Sequence, residues 1–135
     1  MKYISAEEFL EQSKKVQQVF LDWWEPQIGD LFVWNYSDER ENDLHKLQCC
    51  TSKSVTNLTK CNKGLKEGNR IPLLTEGQLR SFISDISNRY VDLHYVDIDT
   101  DKYIVIADKT YITECIEPLQ AYWKVAIKIA KELTT

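Results

Sequence analysis

A chain of 135 residues is the length of one ordinary domain, able to bury roughly two-thirds of the surface it exposes when unfolded. Its 43% hydrophobic and 28% charged residues are the balance of a globular protein and exclude wholesale disorder. A formal net charge of −4 argues against general binding to nucleic acid, which runs on Lys and Arg displacing counterions from phosphates. The longest uninterrupted apolar run, Tyr103 to Ala107, falls far short of the roughly 18 residues that span a bilayer. Near the N-terminus, Glu7 and Glu8 stand where a signal peptide needs an apolar core. The expectation is a cytoplasmic protein with no membrane partner, whose four cysteines are reduced thiols.

Ser5 followed three residues later by Glu8 is a capping box, so a helix is predicted from Ala6 until Glu25-Pro26 stops it. Phe9, Val16, Phe20 and Trp23 recur at helical spacing as its buried stripe, with Lys14, Lys15, Gln17 and Gln18 on the wet side. After a turn at Gly29-Asp30, Leu31 to Tyr36 reads as an aromatic strand with Phe32 and Trp34 on its inner face. Three of the four tryptophans fall between Phe20 and Trp34. Trp24 lies off the helix stripe, so it is the one expected to be spare for a partner.

Residues 37–68 form a long, irregular segment. It opens on the acidic run Asp38, Glu39, Glu41 and Asp43, and short strands are conceivable near Leu47–Cys50 and Ser54–Leu58. Order returns at Arg70. Thr75 and Gln78 make a second capping box, opening a helix to about Ser87 with Leu79, Phe82, Ile83 and Ile86 inward. Tyr90–Ile98 and Tyr103–Ala107 read as strands joined by a polar turn, and Tyr111–Cys115 as a shorter third. The last helix starts at Glu117-Pro118, proline being welcome at the first helical position. Its apolar arc of Leu119, Tyr122, Trp123, Ala126, Ile127, Ala130 and Leu133, widened by Val125 and Ile129, implies burial on two sides or a second subunit. The sum is an α+β single domain, a small mainly antiparallel sheet packed against about three helices.

Three groups of side chains could carry chemistry. His45, Cys49, Cys50 and Cys61 are metal-ligating types, but an adjacent Cys-Cys with no matching second pair departs from the zinc template. Asp92, His94 and Asp97 could serve as an acid/base or metal-assisted hydrolytic or nuclease-like cluster, since alternate residues of a strand share a face. Asp97, Asp99 and Asp101 echo a calcium loop that fails at Lys102, where glycine is needed. Lys124, Lys128 and Lys131 line one side of the last helix and read as its solvated face rather than a phosphate site. No nucleophile motif or phosphate loop is present, so no cofactor is expected.

The block Trp23–Phe32, the segment Ile71–Ile83 and the tail Glu117–Ile127 together resemble small proteins encoded by phages and prophages of low-GC Gram-positive bacteria. The resemblance skips residues 37–65. It implies the cytoplasm of an infected bacterium as the setting and brings no catalytic residues with it. The function expected is a non-enzymatic accessory protein that binds another protein or itself, through Trp24 or through Asp38, Glu39, Glu41 and Asp43; the alternatives are a small metal-dependent hydrolase or nuclease-like enzyme using Asp92, His94 and Asp97 and, third, nucleic-acid binding through Lys124 and Lys128.

Overall fold

The computed structural model describes residues 2–34, 48–50, 70–96 and 102–135. Within these the chain is α+β, as expected, but it carries two small antiparallel sheets rather than one. By internal contacts it divides into a unit of Ser5–Leu73 and a unit of Met1–Ile4 with Leu74–Thr135.

In the Ser5–Leu73 unit, the single helix expected from Ala6 to Pro26 is two: α1, Ala6–Leu10, and α2, Lys14–Trp23. The break has a local cause. Ser13 takes an extended backbone and its hydroxyl accepts the Val16 amide, so it starts a helix instead of continuing one. Gln17, expected to face solvent, is only 8% exposed and seals this corner, its amide donating to the Gln12 carbonyl (2.8 Å) and the Leu10 carbonyl (3.4 Å). Phe9, Val16 and Phe20 are buried, with the Phe9 and Phe20 rings 6.3 Å apart.

Strand β1, Leu31–Trp34, is the centre of the first sheet. It pairs with β2, Gln48–Cys49, on one side and with β3, Arg70–Pro72, on the other. Phe32 and Val33 are both buried, so this strand is covered on two faces instead of alternating.

In the other unit, Tyr3 bridges Thr75 and the Ile4 amide donates to the Leu74 carbonyl. Helix α3, Glu76–Ser87, begins at the expected Thr75/Gln78 box, with both reciprocal bonds present. Leu79, Phe82 and Ile83 are buried, whereas Ile86 is exposed. The chain leaves α3 through Asn88 in the left-handed region (φ 54°).

Strands β4, Asp92–Val96, β5, Lys102–Ile106, and β6, Thr110–Ile112, form a meander in the order β4-β5-β6. Helix α4, Pro118–Leu133, packs against both α3 and β5. Its wide arc is thereby absorbed inside the chain: Leu119, Tyr122, Trp123, Val125, Ala126, Ile129 and Ala130 are all buried. Leu133, at the end of the arc, is exposed. Among the described residues, no helix is long and apolar enough to cross a membrane.

Candidate functional site

The tryptophan expected to be free is a core residue. Trp24 is 4% exposed, clusters with Phe32 and Cys50, and donates its indole N–H to Asp30 Oδ2 at 3.0 Å. Trp23 packs against that cluster and is only partly buried, so of the pair it is Trp24 that lies deeper. The reason is conformational. Trp24 caps α2 with an extended backbone (φ −68°, ψ 117°), so helical periodicity no longer says where its side chain points.

Of the metal-type residues, Cys49 is exposed and Cys50 buried, as expected of neighbours on opposite faces of a strand. Burial pushes the Cys50 thiol up to about 11, helped by the negative charges of Asp30 and Cys49 and opposed by Arg70. A thiol held neutral in this way is a poor metal ligand. His45 and Cys61 lie outside the described residues, as do Asp38, Glu39, Glu41, Asp43, Asp97, Asp99 and Asp101. Among the described residues no three His, Cys, Asp or Glu side chains are placed to hold a metal ion.

Asp92 and His94 do share a face of β4, and both are exposed. Neither lines the surface cleft of about 520 Å³ at the end of α3, which is walled by Ser84, Asp85, Asn88, Arg89 and Tyr90. Part of that wall is a helix cap, with the Ser84 hydroxyl donating to the Arg89 carbonyl at 2.9 Å.

The register of the meander sorts its side chains into two faces. Leu93 pairs with Val105 and Val105 with Tyr111, and Tyr95 pairs with Tyr103. This is the face that packs on α4: Val105 and Tyr111 are buried, and the Tyr95 and Tyr103 rings lie 5.1 Å apart, with Tyr95, on the edge strand, 52% exposed. Tyr111 donates its hydroxyl to Asp108, and Lys128 of α4 sits 5.6 Å over its ring. Burial first, then the bond to Asp108 and the charges of Asp108 and Glu132, push the Tyr111 phenol up to about 12.

The outer face holds the complementary set. Asp92 pairs with Ile106 and Ile106 with Thr110; His94 pairs with Ile104 and Ile104 with Ile112. Lys102 occupies the far end of β5 and reaches Glu114, with Nζ and Oε1 3.9 Å apart. A sheet face turned to water is expected to be polar. Here its middle is isoleucine: Ile104 and Ile106 are half-buried and Ile112 is 68% exposed. Ile116, just beyond, is 72% exposed. Sequence reading found the alternation that pairs Asp92 with His94 but took the isoleucines only as strand formers. The spacing of Ile104, Ile106 and Ile112 puts them on one face, but nothing in the sequence says that α4 packs on the other. Compared with known proteins, the chain matches no family model, no curated protein and no solved structure.

Proposed function

We propose that the chain is a non-enzymatic binding module that docks to a protein partner, another protein or a copy of itself, through the outer face of the β4-β5-β6 sheet. One observation carries the reading: Ile104, Ile106 and Ile112 form a contiguous apolar strip, rimmed by Asp92, His94, Lys102 and Glu114, on a sheet whose central strand packs its opposite face on α4. An apolar centre with a charged rim is the usual anatomy of a protein interface. Among the described residues, Asp92 and His94 stand exposed and line no enclosed volume. The resemblance to small phage and prophage proteins suggests the cytoplasm of an infected bacterium as its place of action.

A photo-crosslinking amino acid in place of Ile112, expressed in the cell, tests the reading. It should yield one discrete protein adduct, whereas the same group in place of Lys124, exposed on α4, should yield none. No adduct at position 112, or the same pattern from both positions, overturns it.

A further inference from the structure

We infer that the occupant of this sheet face is a second copy of the chain, laid face to face with its strands antiparallel to those of the first. The inference rests on the reading above and adds the identity of the partner.

The argument comes from the pattern of charge across the face. At one end stand Asp92, Ile106 and Thr110; in the middle His94, Ile104 and Ile112; at the other end Lys102 with Glu114. The apolar strip is central and the charges lie at the ends with opposite signs available. A face of this kind can satisfy itself.

Two half-turns can bring the faces together. In one, the axis lies between the sheets and runs along the strands, so each strand end meets the same end of its copy. Lys102 then lies over Lys102, a like-charge contact that costs binding. In the other, the axis runs across the strands and the ends exchange. Ile104 then meets Ile104, Ile112 meets Ile112, and His94, at the same level on the edge strand, meets His94. Asp92 of each copy faces the Lys102 end of the other, one strand to the side, and Thr110 offers its hydroxyl to Glu114. With strands about 4.8 Å apart and sheets about 10 Å apart, a lysine side chain reaches a carboxylate across that diagonal. Each Lys102 would then sit between Glu114 of its own chain and Asp92 of the other.

Size sets the strength. Two strands of five residues and one of three present on the order of 300 Å² of accessible surface per copy, about 600 Å² in all. Stable interfaces bury about 1,200–2,000 Å². The association is therefore reversible and dissociates on dilution.

Sedimentation velocity of the purified full chain, from about 10 μM to about 1 mM, is the test. The sedimentation coefficient should rise with concentration. Ile112→Glu should weaken association at least tenfold, and its unchanged circular dichroism would show that the fold survives at this exposed position. Asp92→Lys should weaken it about two- to fivefold, the range of an exposed ion pair. A chain that is monomeric at about 1 mM, or a dimer indifferent to both substitutions, overturns the inference. The two readings fail separately. A monomeric chain that still forms a heterologous adduct from position 112 retains the binding module and loses the second copy, whereas no dimer and no adduct removes both.

Discussion

In the β4-β5-β6 meander each strand pairs with its neighbour in the chain, whereas the β2-β1-β3 sheet joins Leu31 to Cys49 and Trp34 to Arg70 across long stretches of sequence. Both sheets have three strands and they are held differently. Neighbouring strands close their own loops cheaply, so the meander needs little beyond its ladder and the cover of α4. Distant strands need a fastener, and the first sheet has one at the Asp30–Cys50 corner. The Cys50 amide donates to the Asp30 carbonyl (2.8 Å) and the Gly29 amide to the Cys50 carbonyl (2.9 Å). The Asp30 carboxylate meanwhile accepts the Trp24 indole N–H and the Gln27 amide, both at 3.0 Å. One side chain thus ties the end of α2, the following turn and the entry to β1.

The largest effect should follow from removing that side chain. Asp30→Ala leaves the buried Trp24 N–H without its acceptor and frees the Gln27 turn, at a cost of about 2–3 kcal/mol in urea denaturation. Asp30→Asn keeps one acceptor oxygen and should cost less. The matched change in the meander is Asp108→Ala, which removes only the bond from Tyr111 and should cost about 1 kcal/mol. Equal losses at Asp30 and Asp108 would remove the distinction between a fastened sheet and a self-closing one.

The same contrast explains which elements were legible in the sequence. Ser5/Glu8, Thr75/Gln78 and Pro118 are local chemistry, each fixing a helix start with residues no more than three apart, and all three helices begin where these residues predict. The meander was legible because its strands are consecutive and bounded by polar turns. What escaped was settled by partners distant in the chain or by a change of backbone state. Ser13 was a polar residue inside an apparent helix until its hydroxyl took the Val16 amide. Gln17 looked solvent-facing because composition does not reveal that two free carbonyls await its amide. The deeper burial of Trp24 has the same origin, since periodicity ends where the helix does. Of the candidate site, the sharing of a face by Asp92 and His94 was legible from alternation. The placing of the isoleucine strip on the face away from α4 was not, because a strand pattern does not show which face a helix will cover.

Alkaline pH should separate the two sheets by their buried acids. Cys50, in the first, is raised from its ordinary 9.0 to about 11, and Tyr111, in the meander, from 10.0 to about 12. Burial also raises Tyr122 in α4, with Arg80 opposing. In each case the folded chain holds its proton at a pH where the unfolded chain has lost it, so stability declines as pH rises. The Cys50 contribution is complete below 9 and is lost towards 11; the Tyr111 contribution is complete below 10 and is lost towards 12. Urea midpoints measured between pH 8 and pH 11 (about the range before general alkaline unfolding) should therefore fall from pH 9 upward in the parent. Cys50→Ala should remove the earlier part of the fall and Tyr111→Phe the later part. Identical pH profiles for both variants and the parent would show that neither group carries the decline.

The smallest effects lie at the two residues that have positive φ among those described, one in each unit, and their expected sizes differ. Gly29 (φ 96°) turns the chain into β1, and a Cβ placed there would meet nothing within 4 Å. Gly29→Ala therefore introduces no clash, and its cost is purely that of holding an L-residue in a left-handed backbone, about 1 kcal/mol. Asn88 (φ 54°) already bears a side chain in that region, at the end of α3. Asn88→Gly relieves the steric cost of that conformation but adds freedom to the unfolded chain, so the two contributions nearly cancel and leave a change of a few tenths of a kcal/mol. Thermal denaturation of the two variants side by side would resolve the difference. A loss at Asn88→Gly as large as that at Gly29→Ala would mean that the Asn88 side chain holds the end of α3, giving the meander side of the molecule a fastener of its own.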